Sequence, residues 1–307
     1  MIEKEVFSGI LESIEDKLGV PIDHIIIDAK RRDAKLYVDD ILSGVLGKVI
    51  RQPWLRVFGY KIMILQASYI GLAKMRLLSY KPGRRFIGVV ESVYHPALFM
   101  GDVCGAFESL EGVRAKPEYG RVGDNWYMEL TPSGEYPGED RLELEKLPEV
   151  PARAGYDRCP ECGVPRNIGD TLRWEPRRGK IVDKVTGKWI IYVDVEALDA
   201  ILRELAKELG EEIDAQGVER SFKIYRDLKK EFPGSHLENL AFLKDRGLGV
   251  PASEDPGPDE LKAGLEIRNA FNGPILAGLV AALYGGDDPD YAWDNLKPGV
   301  VRITVKS

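Results

Sequence analysis

The chain of 307 residues holds three cysteines, three histidines and three glutamines. So few cysteines over such a length exclude a disulfide-stapled secreted scaffold. Long apolar runs are missing too. The most apolar stretch, residues 55–79, is broken by Arg56, Lys61, Gln66, Lys74 and Arg76, so no membrane span is expected. Residues 1–18 are acidic and amphipathic rather than basic and then apolar, unlike a secretory leader. The expected location is cytoplasmic. An excess of positive charge is also lacking: 43 Lys and Arg stand against 50 Asp and Glu, a net charge of −7. Nucleic acid is therefore not an expected partner. The basic clusters Lys30-Arg31-Arg32 and Arg177-Arg178 read as solvated surface. Scarce glutamine beside abundant Glu, Lys and Arg is a thermophile pattern. The nucleophile elbow, the phosphate-binding loop, the dinucleotide-binding glycine fingerprint and the HExxH zinc motif do not occur.

What is present is a repeat. "ILESIEDKLGVPID" (10–23) aligns without gaps on "ILRELAKELGEEID" (201–214), with six identities. Both read as amphipathic helices, carried by Ile10, Ile14 and Leu18 in one and by Leu198, Ile201, Leu202, Leu205 and Leu209 in the other. Each ends at a glycine, Gly19 or Gly210, where a left-handed cap is expected. More loosely, residues 86–112 parallel 261–287: a strand, a turn, then a helix rich in small residues. Gly101 and Gly105 answer Gly278 and Ala282. A final strand follows in each, "NWYMELT" (125–131) and "VVRITVK" (300–306). The expected fold class is α+β: two copies of a helix-plus-antiparallel-sheet domain with a small cysteine-knuckle β insert between them. Copy one spans 1–134, a linker and β-hairpin module 135–190, and copy two 191–307. In copy two, Ser235 and Glu238 read as a capping box opening a helix that closes near Gly247.

The insert carries "RCPECGVP" (158–165). Two cysteines two residues apart, with Pro160 between them and Gly163 after, read as half of a zinc ribbon. Tetrahedral zinc needs four ligands. The remaining ligands have three sources: the Cys159/Cys162 pair of a second chain; His95, His236, Asp157 or Cys104 of the same chain; or none, leaving thiols or a disulfide. With four thiolates the zinc is structural, since no position is left for water. Beyond the pair, Trp174, Ile181, Val182 and Trp189 suggest a small β-meander.

Copy one has the longer middle segment and most of the aromatics. Trp54, Phe58, Tyr60, Tyr69, Tyr94 and Phe99 are expected to wall an apolar ligand cavity, with His95 at its mouth as the polar group that fixes orientation. The competing readings are a larger core or a dimer interface for these rings, and helix capping for His95 and its counterpart Asn272.

The segment 89–131, with Ser92, Gly101, Cys104, Gly105, Glu108, Gly112 and Trp126 to Thr131, resembles the C-terminal half of the 4-vinyl reductase-type, hydrocarbon-binding domain. Asn269, Gly278, Tyr284 and Ile303 to Val305 are the more divergent counterparts. The resemblance implies an α+β small-molecule-binding domain, often dimeric, and no catalytic set. Three functions follow: a binding or sensory protein for an apolar or aromatic molecule, working as a homodimer; an accessory or assembly subunit using the knuckle and the surface near Trp174 and Trp189; and a reductase-type enzyme using His95.

Overall fold

A computed structural model describes residues 1–134, 149–152, 155–193, 199, 201–203, 205–207, 210 and 212–306. Its class is α+β, 47% helix and 25% strand. Three four-stranded sheets occur among the described residues, and no described helix is long and apolar enough to cross a membrane. The linker residues 135–148, and Leu198 and Leu209 of the repeat, lie outside the described residues.

The chain divides into two compact units, but not at residues 134 and 191. Unit 1 comprises 1–19, 145–173 and 182–307; unit 2 comprises 20–144 and 174–181. Helix α1 (Lys4–Leu18) therefore belongs with the carboxy-terminal half. Its buried face is Val6, Phe7, Ile10, Leu11 and Ile14. It ends at Gly19, whose φ of 64° is left-handed and whose N–H reaches the Glu15 carbonyl, a conformation only glycine adopts without strain.

Unit 2 is built on α2 (Asp23–Ile41), α3 (Val45–Ile50), α4 (Arg56–Tyr69) and α5 (Pro96–Glu111) with a sheet in the order β2-β3-β5-β4. The strands are β2 (Ala73–Lys81), β3 (Arg85–Val93), β4 (Ala115–Val122) and β5 (Asn125–Pro132), all paired antiparallel. Alternate residues Phe86, Val90, Met128 and Leu130 are buried, the period-two pattern of a sheet with one covered face. Helix α5 is central and almost entirely buried. It lies against α2 at very short range: a Cβ on Gly101 would stand 2.9 Å from the Ile27 carbonyl oxygen, and one on Gly105 would stand 2.5 Å from that of Arg31.

Unit 1 repeats this plan. Its helix pair is α7 (Glu212–Glu231) and α10 (Gly273–Tyr284), and its sheet runs β9-β10-β12-β11, from Val250–Pro251, Leu265–Arg268, Val300–Lys306 and Asp290–Lys297. A Cβ on Gly278 would meet the Val218 carbonyl oxygen at 2.2 Å, the contact Gly101 makes with Ile27. The caps match as well. His95 (φ −157°, ψ 127°) and Asn272 (φ −160°, ψ 125°) each accept the backbone N–H three residues on. Between α7 and β9 the expected single helix is broken. Ser235 and Glu238 do cap a turn, but it is a short 3₁₀ helix, His236–Glu238, followed by α8 (Ala241–Arg246) and a left-handed Gly247. Short strand β1 (Ile2–Glu3) pairs with β8 (Trp189–Ile191).

Candidate functional site

The seven residues expected around one cavity differ in burial. Tyr60, Tyr94 and Phe99 are buried, whereas Trp54, Phe58 and Tyr69 are 73%, 54% and 52% exposed. The reason lies in α4, which is apolar on two faces. Gly59, Tyr60 and Ser68 turn inward, and Tyr60 packs its ring 4.8 Å from Phe86 and 5.1 Å from Tyr80. Phe58, Ile62, Leu65 and Tyr69 fall on the opposite side and face solvent. His95 is half-buried, and its Nδ1 accepts the Leu98 N–H at 3.4 Å, capping α5.

Unit 2 instead concentrates charge along the α2–α5 seam. Lys30 Nζ lies 2.5 Å from Asp33 and 3.2 Å from Asp102, and the Tyr94 hydroxyl donates to Asp102 at 3.0 Å. Burial works against the Lys30 charge, but Asp102 and Asp33 raise its pKa above the ordinary lysine value. Burial raises the Asp102 pKa, with Lys30 opposing and Asp33 assisting. Two turns along, Arg31 pairs with buried Glu108 at 2.7 Å. At the end of α5, Glu111 receives Arg56 at 2.6 Å, the Tyr80 and Tyr60 hydroxyls at 2.7 and 3.1 Å, and the Gly83 N–H at 2.8 Å. This seam opens into a cleft of about 400 Å³ lined by Lys35, Asp39, Arg51, Arg56, Glu111 and Arg114 among others. The cleft is lined mainly by charged side chains. Arg51 joins Asp39 at 2.7 Å and Arg56 joins Glu111, so charges that line it already neutralise one another.

A signal for the seam was present in the repeat. At the spacing that superposes the two copies, Lys30, Asp33, Tyr94 and Asp102 fall on Ser221, Ile224, Phe271 and Leu279. The seam is ionic in one copy and nearly apolar in the other. Replacing Lys30 by methionine should leave Asp33 and Asp102 facing each other. The expected loss is about 2 kcal/mol, below the ~3–5 kcal/mol of a fully buried pair, because the Lys30 and Asp102 side chains keep 13% and 19% exposure. Urea unfolding should show the deficit shrinking as pH falls and the carboxylates protonate. A deficit that holds constant in acid would contradict the assignment.

Unit 1 has its own buried hub. Arg246 bridges Glu3 and Asp183, the latter at 2.7 Å. Tyr225 donates to Glu3 at 2.6 Å, and His236 Nε2 lies 3.1 Å from Asp183. Asp183 also accepts the Val185 and Thr186 N–H groups at 2.9 Å each. Burial would raise the Asp183 pKa, but hydrogen bonds from His236 and the Thr186 amide, with the Arg246 charge, hold it well below the carboxylate range. His236 is thus committed to this hub.

The cysteine pair forms a tight turn. The Cys159 N–H reaches the Val164 carbonyl at 2.9 Å, the Gly163 N–H returns to Cys159 at 2.9 Å, and Gly163 is left-handed at φ 73°. The amides of Cys162 and Glu161 hydrogen-bond the Cys159 sulfur and lower its pKa. Cys159 is half-buried, Cys162 is exposed, and both are free thiols. Cys104 is fully buried on α5; burial drives its thiol pKa strongly upward, so it is an inert core residue. Asp157 is exposed and pairs with Arg166 at 3.6 Å. Among the described residues, no group of three His, Cys, Asp or Glu side chains stands in a metal-holding arrangement. Trp174 is 40% exposed, and Trp189 carries Lys4 over its ring at 4.8 Å. No family model, curated protein or solved structure matches the chain.

Proposed function

We propose that the chain is an assembly protein whose unit 2 docks, through the outward face of α4, onto a second copy of itself. The observation that carries this is the exposed apolar surface between residues 36 and 69. Leu36, Tyr37, Ile41, Val45, Val49, Trp54, Phe58, Ile62, Leu65 and Tyr69 are each 40–80% exposed. Gln66 of α4 hydrogen-bonds the Tyr37 hydroxyl of α2, so the two helices contribute to one surface. Together these side chains present on the order of 1,000 Å² of apolar area, enough for the ~800 Å² per partner of a standard interface. Monomeric proteins seldom leave large apolar patches in water.

A second copy suits the patch for an electrostatic reason. Apart from Arg56, which turns inward to Glu111, α4 carries one charged residue, Lys61. A twofold interface brings identical surfaces together, and an outward α4 face whose one charge is Lys61 does little to repel itself. The net charge of −7 disfavours the alternative occupant, an anionic lipid surface.

The test is sedimentation velocity over a dilution series, comparing the natural chain with a Phe58→Glu/Leu65→Glu variant. The natural chain should dimerise. The variant should associate at least about 30-fold more weakly, as expected when central interface anchors are lost, with its circular dichroism unchanged. A natural chain that stays monomeric, or one that binds anionic vesicles through this face, overturns the proposal.

A further inference from the structure

The 158–165 turn is unexplained by docking through α4. We infer that Cys159 and Cys162 are half of a tetrahedral zinc site completed by the same two cysteines of a second copy of this chain. The backbone already has the form of a chelating knuckle. An antiparallel bridge between Arg158 and Pro165 closes its base, and Arg158 holds the Gly163 carbonyl at 2.9 Å. Gly163 takes the left-handed conformation that lets the chain turn back after the second cysteine. The Cys159 N–H reaches the Val164 carbonyl and the Gly163 N–H returns to the Cys159 carbonyl, each at 2.9 Å, so the backbone closes around the pair.

Two thiolates fill two corners of a tetrahedron. The other ligands considered from the sequence are committed elsewhere: Cys104 is sealed in the core, His95 caps α5, His236 is bound to Asp183, and Asp157 pairs with Arg166. No third ligand stands beside the pair among the described residues. The pair is open to an approaching molecule, with Cys162 exposed. A second knuckle supplies the two missing thiolates without any rearrangement of the first. Four thiolates around one Zn²⁺ carry a charge of −2, and Arg158 stands at the base of the turn. With all four positions taken by sulfur the site is structural, holding copies together rather than activating water.

The inference is independent of the α4 interface, and the experiment keeps the two apart. The full chain is purified reducing and zinc-replete, in its natural form and with Phe58→Glu/Leu65→Glu. Zinc is measured by elemental analysis, coordination by the absorption of the cobalt-substituted protein, and mass in solution with and without a chelator. About 0.5 zinc per chain, a tetrathiolate cobalt spectrum and a chelator-sensitive dimer in the α4 variant support the site. Cys159→Ser and Cys162→Ser should each lower bound zinc at least tenfold, with the fold retained by circular dichroism. One zinc per chain, a cobalt spectrum with nitrogen or oxygen ligands, or no zinc even on direct addition overturns it.

Discussion

A valine in place of Gly278 should destabilise unit 1 by about 3 kcal/mol or more, at the upper end of what overpacking a core costs. The obstacle is backbone. Even the first added carbon would stand 2.2 Å from the Val218 carbonyl oxygen and 2.9 Å from the Phe222 nitrogen, and no side-chain rotation moves those atoms. Helices α7 and α10 must then separate, and they carry the core of the unit. Alanine at Gly278 is the more telling variant, since leaving glycine within a helix otherwise gains about 0.8–1 kcal/mol. A net loss on Gly278→Ala measures the clash above that gain. Gly9 of α1 is the internal control. Its added carbon would meet the Ile224 side chain at 3.6 Å, ordinary contact, so Gly9→Ala should raise stability by about 0.5–1 kcal/mol. Chemical denaturation of the three proteins decides the matter. A Gly278→Ala protein at least as stable as the natural one would mean that the helices do not approach as described.

Arg246→Met should cost about 3–5 kcal/mol, because removing one partner from a buried ionic group strands the others. Both carboxylates that Arg246 serves, Glu3 and Asp183, are fully buried. The pH dependence identifies the cause. The folded-state pKa values of Glu3 and Asp183 are depressed. The stability they contribute is thus present above the unfolded carboxylate pKa of about 4 and is lost as pH falls through the folded values. Without the guanidinium those values rise, so the variant loses less on acidification. Urea midpoints of the two proteins should converge below about pH 4. Parallel pH profiles would show that the loss came from packing against Phe242, whose ring lies 5.4 Å from the guanidinium, and not from stranded charge.

The repeat was legible because it is written in residues with backbone duties. Gly19 and Gly210 are left-handed, Gly101 and Gly278 admit a neighbouring helix, and His95 and Asn272 cap the central helix. Each of these needs one residue type or a few, so the match survives where the cores have diverged. The division of the copy-one aromatics between core and surface is illegible for the opposite reason. Periodicity says that α4 is apolar on two sides, but which side meets the core is set by what packs against it. Tyr60 goes in because Glu111, Tyr80 and Phe86 are there to receive it. Nothing within residues 56–69 distinguishes it from Phe58. The grouping of α1 with the carboxy-terminal half is illegible because a helix pattern, shared in sequence with residues 201–209, does not record the unit in which the helix packs. The ionic seam was hidden because Lys30, Asp33 and Asp102, taken singly, look like solvated charges; only comparison of the two copies marks them as core positions.

The split make-up of unit 1 has a consequence during synthesis. Helix α1 leaves the ribosome early, but Ile2 and Glu3 pair with residues 190 and 191, and Arg246 arrives later still. At ~5–20 residues per second, roughly 10–45 s pass between the emergence of α1 and that of Arg246. All of residues 20–144 of unit 2 emerge within that interval and are free to fold first. Meanwhile Val6, Phe7, Ile10, Leu11 and Ile14 wait as an unpartnered apolar stripe on the nascent chain. Helix α1 is thus a segment for which a ribosome-associated chaperone has long to compete, and slowing translation after residue 181 should lengthen its exposure without affecting unit 2.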